Sequence, residues 1–382
     1  MPLRQPSAQP PALLERPTWQ RESAGYRRRF LDSYRPNVSA YLSRQDRVAL
    51  AGVGRPEKAP QSAGTYAKRI LPRLLIDLSW NSSRLEGNTY SQLDARQLVQ
   101  TGEAVHGKTL LETQMIVDHK DAITFLVDSV DEVDFNRYTI CNLHAILANN
   151  LLPDPHAAGR LRHIPVGISK SVFYPLEAPQ FIAELFDVIL AKAAEIRDPV
   201  EQSFFVMVHR PYLQPFDDVN KRMSRLAANI PLVKGNLSPL TFLDVPRRTY
   251  PLATLAVYER NDVSLLREVY LWAYRRSAQR YAAVRQSLGE PDSFRLRYRS
   301  ALQDVVCGII RGRAAPAETI DGLAKPVEAT IKDSDRTRFR EIVASELDGL
   351  TLQNFARYRV TRSEFETWLR GCREHAGSGS GG

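Results

Sequence analysis

The chain has 382 residues, enough for more than one typical domain, and 43% of them are apolar, which can fill a sizeable core. Lys and Arg outnumber Asp and Glu by 52 to 43, and the formal net charge of +9 favours anionic partners such as nucleotides, nucleic acid or acidic membranes without choosing among them. Three widely spaced cysteines, Cys141, Cys307 and Cys372, provide neither a disulfide framework nor a zinc-ligand pair, and they fit a reduced compartment.

In chain order, residues 1–25 are rich in Pro, Gln and Arg and hold no continuous apolar run. They read as a disordered segment without a secretory signal. No stretch of about 18 apolar residues follows, so no membrane span is expected and the cytoplasm is the expected location. Residues 26–108 read as an N-terminal helical region. Thr109 to Asp128 lacks Gly and Pro and is apolar on a broad face, which predicts a helix. Residues 163–175, HIPVGISKSVFYP, mix β-formers with Gly, Ser and Pro and predict a short β-hairpin flap. Residues 179–197 place Ile182, Leu185, Phe186, Ile189 and Ala193 on one helical face, and 200–209 are apolar on nearly every side, as in a central buried helix. A further helix starts at Asn220 and carries Met223, Leu226, Ala227 and Ile230 on one face; another spans 262–283. Glu290-Pro291-Asp292 and their neighbours interrupt the pattern, which sets a boundary between a core, 109–288, and a small helical C-terminal domain, 289–375. There a helix from Asp348 through Phe355, a short link and a second helix capped by Ser363 and Glu366 fit either a DNA-binding helix-turn-helix or any small helical appendage. Residues 376–382, AGSGSGG, read as a flexible tail.

The chemistry concentrates in residues 214–225, QPFDDVNKRMSR. Pro215 breaks an incoming helix and Asp217 or Asp218 can cap the next. Arg222 and Arg225 then lie three apart, on one side of the new helix. A helix N-terminus attracts phosphate, and a neighbouring carboxylate suits a Mg-bound polyphosphate. The same residues also fit an ordinary helix start with surface arginines.

This stretch resembles the signature of the Fic (Fido) family, His-Pro-Phe-x-Asp/Glu-Gly-Asn-Gly-Arg-x-x-Arg. Pro215, Phe216, Asp218, Asn220, Arg222 and Arg225 match in register, whereas Gln214 replaces the histidine and Val219 and Lys221 replace the two glycines. A second segment, SSRLEGN at 82–88, is similar to the family's inhibitory helix motif, with Ser82, Glu86 and Gly87 in place. The resemblance spans roughly residues 65–285 and implies a mainly α fold, a Fic-type helical bundle with a hairpin flap. It further implies that Asn220, Arg222 and Arg225 bind nucleotide phosphate, that Asp218 holds Mg, and that Glu86 pairs with Arg225 to exclude the γ-phosphate.

In such enzymes the histidine takes the proton from a protein hydroxyl that then attacks the α-phosphorus of ATP. The Gln214 amide has no basic site near neutral pH, and losing a general base costs on the order of 10²–10⁴ in rate. Val219 disfavours positive φ. Lys221 offers a point charge in place of lost N–H contacts to phosphate. The leading expectation is a divergent transferase that binds ATP or another nucleotide with Mg and modifies a protein hydroxyl presented at the flap 163–175, with Asp217 the nearest alternative base and Glu86 inhibitory. The alternative is a catalytically silent, nucleotide-responsive regulator or a partner- or DNA-binding protein; a homodimer is compatible with either. His209, about 140° round a helix from Gln214, and His144 read as packing, and His163 precedes the flap.

Overall fold

A computed structural model of the chain describes residues 16–55, 62–288, 293–312 and 331–377. The chain divides into two compact units, residues 1–288 and 289–382. In the first unit, strand β1 (Ala24–Gly25) precedes α1 (Arg28–Asp32), α2 (Arg44–Gly54), α3 (Thr65–Arg84), α4 (Gln92–Thr101), α5 (Leu110–Asp128) and α6 (Arg137–Leu147). Strand β2 (Phe173–Tyr174) follows, then α7 (Pro179–Glu195), α8 (Pro199–Leu213), α9 (Asn220–Ala227), α10 (Ile230–Lys234), α11 (Thr249–Arg260) and α12 (Ser264–Leu288). No described helix is long and apolar enough to cross a membrane.

α8 is the axis of this unit. Every residue from Phe204 to Leu213 is buried, and the helix packs against α2, α7, α9, α10 and α11. Its all-round apolarity therefore reflects a helix enclosed on all sides. α5 starts at Thr109 through a capping box with Glu112, and lies along α3 and α6. The helix expected from Asn220 onward stops at Ala227. Asn229 turns its side-chain amide to the Arg225 and Leu240 carbonyls, and α10 begins anew at Ile230.

Residues 16–25, expected to be disordered, are ordered; residues 1–15 lie outside the described residues. Arg21 donates to both oxygens of Glu259 at 2.8 and 3.0 Å, and only 4% and 3% of the two side chains is exposed. The same carboxylate accepts from the Ser171 hydroxyl at 2.7 Å and the Val172 N–H at 3.2 Å. Glu259 thus ties the N-terminal segment and the flap to α11. The two-stranded sheet follows from this: β1 pairs with β2 in parallel, Ala24 opposite Phe173, so the flap is not a hairpin folded on itself. The sequence of 163–175 shows the β-formers but not their partner, which lies about 150 residues away.

The second unit holds α13 (Ser293–Arg297), α14 (Arg299–Gly312), α15 (Arg336–Asp348) and α16 (Arg362–Gly377). Val306, Ile309, Phe339, Val343, Phe365 and Trp368 form its core. No helix spans Asp348 to Phe355. α15 ends at Gly349, and a single 3-10 turn covers Phe355–Tyr358. The box at the next helix is Thr361 with Glu364, two residues before the expected Ser363 and Glu366. The helix-turn-helix expectation loses its first helix. Residues 376 and 377 close α16, and 378–382, like 289–292, lie outside the described residues.

Glu259→Ala leaves the buried Arg21 guanidinium with only the Lys170 carbonyl among the described residues and is expected to cost about 3–5 kcal/mol, as for one partner removed from a buried pair. Hydrogen exchange at residues 16–25 and 168–174 should rise well ahead of α8. Unchanged exchange in those two segments would show that the strap is held by other contacts.

Candidate functional site

α8 ends at Leu213, and the chain leaves it through Gln214 in the left-handed region, φ 51°, before Pro215. The loop then re-enters helix at Asn220 through Val219, also left-handed at φ 63°. A β-branched residue there costs on the order of 1–3 kcal/mol. The conformation expected to be lost with the signature glycine is therefore kept under strain, with Val219 fully packed in the core. Neither aspartate caps α9 as expected. Asp218 accepts from the Val219 N–H at 2.6 Å, and the N-cap position has no side-chain cap. The first N–H groups of α9 thus remain open to an anion.

The loop is braced from several directions. Asn220 folds back, accepting from the Phe216 N–H at 3.1 Å and donating to the Phe216 carbonyl at 2.8 Å. His144, read as packing, stacks on Phe216 with ring centroids 3.8 Å apart. Its Nδ1 accepts from the Gly159 N–H at 2.9 Å, which leaves Nε2 protonated to donate to the Asp218 carbonyl at 3.2 Å. Burial pushes its pKa down to about 3, so it stays neutral. Arg162 is buried; its backbone N–H donates to the Pro215 carbonyl at 3.0 Å and its Nε to the Gln214 carbonyl at 2.6 Å. The rest of its guanidinium donates to the carbonyls of Ile164 and Leu176, one on each side of the flap. Arg162 therefore locks both flap ends onto the signature loop. His209 is a core residue, 2.7 Å from the Tyr41 hydroxyl and packed on Phe205 and Phe30. His163 is exposed.

Arg222 and Arg225 are buried rather than projecting. Arg225 crosses to α3, donating from Nε to the Ser82 hydroxyl at 2.8 Å and from Nη2 to the Ser82 carbonyl at 2.9 Å. Its Nη2 also meets Glu86 at 2.7 Å, and the guanidinium carbon lies 5.0 Å from the Tyr250 ring centroid. α3 ends at Arg84, and Gly87 at φ 100° turns the chain so that Glu86 is presented beyond the helix end. The second Glu86 oxygen contacts Lys221 at 2.8 Å, a contact that the sequence reading did not foresee. Burial alone would raise the Glu86 pKa, but Arg225 and Lys221 override it and hold the carboxyl at about 2. Arg222 leaves Nη1 buried with no hydrogen-bond partner among the described residues. Beside it, burial pushes Asp118 up to about 7.

The Gln214 amide donates to the Pro211 carbonyl at 2.5 Å and lies 3.5 Å from the Tyr258 hydroxyl. Its nitrogen is tied back to α8. Asp217 is half-buried, and its Oδ1, itself buried, has no hydrogen-bond partner among the described residues. Asp218 is exposed, with one oxygen not engaged by Val219. One such carboxylate suits Mg, which keeps most of its ligands from phosphate and water. Next to the loop, a cavity of about 350 Å³ opens between flap residues 168–170 and the start of α11, with Lys221 and Tyr258 in its wall.

The Fic/DOC family model matches residues 134–232. Protein adenylyltransferase fic-1 of Caenorhabditis briggsae is 25% identical over 238 residues, 60% of this chain and 46% of that protein. Protein adenylyltransferase Fic of Nematostella vectensis is 25% identical over 194 residues, 48% of this chain and 43% of that protein. The chain spans about half the length of the curated relatives it matches. Among solved structures, a variant of Fic-1 from Caenorhabditis elegans superposes with a TM-score of 0.52 at 20% identity, over 64% of this chain and 73% of that one. A Fic family protein from Desulfovibrio desulfuricans gives 0.50 at 20% identity, over 72% and 82%. These likenesses show the fold.

Because the Glu86 pKa is lowered, its contribution to stability is present in full above about pH 4.5 and is lost as pH falls toward about 2. Wild type should exceed Glu86→Gln by about 3 kcal/mol at neutral pH, with the gap narrowing only below pH 4.5. Urea melts of both proteins across pH 3–8 read this directly. A gap that is absent, or that changes between pH 5 and 8, would remove Glu86 from a buried ion pair.

Proposed function

We propose that this chain, which carries a Fic/DOC-family domain, is a divergent Fic-type transferase. It takes a nucleotide phosphate at the N-terminus of α9 with Mg and modifies a hydroxyl of a protein presented along the flap. The single observation that carries this reading is that one carboxylate, Glu86, holds two cations of the cradle at once, Arg225 at 2.7 Å and Lys221 at 2.8 Å. A guanidinium whose outer nitrogen serves a carboxylate cannot also grip a terminal phosphate with both forks. Glu86 therefore competes with the last phosphate of a triphosphate, and the resting state is autoinhibited. The adenylyltransferase relatives support ATP as the donor nucleotide.

The chain's own groups would divide the work as follows. Open N–H groups of α9, with Arg222 and Arg225, orient the phosphates and neutralise developing charge. Asp218 would hold Mg, which would supply positive charge against the negative charge of the phosphates. Gln214 cannot accept a proton. Asp217, two residues past the loop's proline and with Oδ1 unpaired among the described residues, is the group here that would take it from the target hydroxyl. The Gln214 side chain bound to the Pro211 carbonyl favours a second reading, a silent regulator that binds nucleotide without transferring it.

Labelled-nucleotide transfer onto lysate protein separates the two. Glu86→Gly is expected to raise labelling at least tenfold, and Glu86→Gly with Asp217→Asn to return it to background. Gln214→His alone should leave wild type near background, since Glu86 still holds Arg225 and Lys221. Absence of label in every variant that binds nucleotide would leave the regulator reading. Strong self-labelling by Gln214→His alone would contradict the Glu86 lock.

A further inference from the structure

Arg210 lies in the last turn of α8, one turn before Gln214, and the function proposed above does not use it. It is 1% exposed, and none of its three guanidinium nitrogens has a hydrogen-bond partner among the described residues. A buried cation with neither counter-charge nor acceptor is strongly unfavourable. The negative end of the α8 dipole eases a cation in this turn but takes none of its N–H groups. Cys141 on α6 is the ionisable group that acts on Arg210, but burial pushes its thiol up, so it is neutral at pH 7 and no counter-ion. Asp187 on α7 is taken by Arg137 at 2.6 Å. Burial pushes the Arg210 pKa down to about 9, which leaves it charged at neutral pH.

What Arg210 does meet is the signature loop. Its guanidinium carbon lies 5.3 Å from the centroid of the Phe216 ring and 5.9 Å from that of Phe186, within cation–π range. Phe216 holds the Asn220 side chain with both of its backbone groups and stacks on His144, so its ring is braced against the start of α9. The charge is felt there: burial first, then Arg210 and Arg222, hold the His144 ring neutral. Arg225 and Lys221 are answered by Glu86, whereas Arg210 is answered by nothing among the described residues. We infer that Arg210 is a positioning residue of the phosphate site, which holds Phe216 and supplies from behind its ring an unneutralised positive charge that favours an anion at the start of α9. The inference rests on the nucleotide reading above and adds to it a source of affinity that touches no ligand atom. In a buried setting a charge acts over several ångströms with little screening, and only an unpaired one keeps its full field.

Calorimetric titration of ATP with Mg tests this in Glu86→Gly, Glu86→Gly/Arg210→Met, Glu86→Gly/Arg210→Lys and Glu86→Gly/Cys141→Asp, with a urea melt of each. Met removes the charge and keeps an unbranched chain, Lys keeps the charge without the planar fork, and Cys141→Asp leaves Arg210 in place and gives it a counter-charge. Arg210→Met and Cys141→Asp should each weaken ATP roughly tenfold, while Arg210→Lys stays within about threefold of Glu86→Gly. Neither of the first two should lower the urea midpoint, since replacing a buried unpaired ion by an apolar chain, or pairing it, is neutral or stabilising. A merely structural arginine gives the reverse, a lower midpoint with ATP affinity intact. That result, or equal weakening by Arg210→Met and Arg210→Lys, overturns the inference while the nucleotide reading stands. If Arg210→Met does not fold, Cys141→Asp decides, and unchanged ATP affinity there overturns the inference as well. If ATP binds none of the four proteins, the inference and the nucleotide reading fall together.

Discussion

Everything at this site turns on a fully buried guanidinium. Arg225 has no solvent-exposed side-chain surface. A buried charge without a counter-charge is strongly unfavourable, so the fold must supply one. It does so with Ser82 and Glu86 at the end of α3, and the same carboxylate reaches Lys221. The same carboxylate that answers the buried charge is, in the proposed reading, the one a terminal phosphate would have to displace. A ligand that displaces Glu86 must replace both of its cation contacts.

A second constraint fixes the loop that presents these groups. Gln214 and Val219 both sit in the left-handed region, although neither is glycine. Such backbone persists only where its surroundings over-determine it. Arg162 holds the Gln214 and Pro215 carbonyls from the flap side, His144 the Asp218 carbonyl from below, and the Asn220 side chain closes the loop on Phe216. Loop and flap are in this way tied together, and Glu259 extends the tie to the N-terminal segment through Arg21. The placement of the flap thus depends on residues far from the signature.

Long helices were legible in the sequence because their periodicity is local. The α5 start at Thr109 and the all-round apolarity of α8 both follow from residues within a few turns. The Glu86–Arg225 pairing was legible through two motifs recognised together, since their spacing of 139 residues says nothing by itself. What the sequence hid were contacts between remote residues of ordinary type: Arg21 with Glu259, Lys221 with Glu86, and the partner of the flap strand. Local capping was also misjudged. Asp217 and Asp218 have the right chemistry to cap α9, but the left-handed Val219 turns the chain so that Asp218 satisfies its neighbour's N–H instead. At the C-terminal end, Ser363 and Glu366 have the spacing of a capping box, yet Thr361 and Glu364 form it. Both pairs satisfy the same rule, and only the packing of α16 chooses between them.

The central claim is that Glu86 and a terminal phosphate compete for Arg225 and Lys221. Titrating ATP and AMP, each with Mg, into wild type and Glu86→Gly tests it most directly. The account predicts that Glu86→Gly tightens ATP by tenfold or more while AMP changes by less than about threefold, because only the triphosphate reaches the two cations. Equal tightening of both nucleotides, or no change in either, would contradict it.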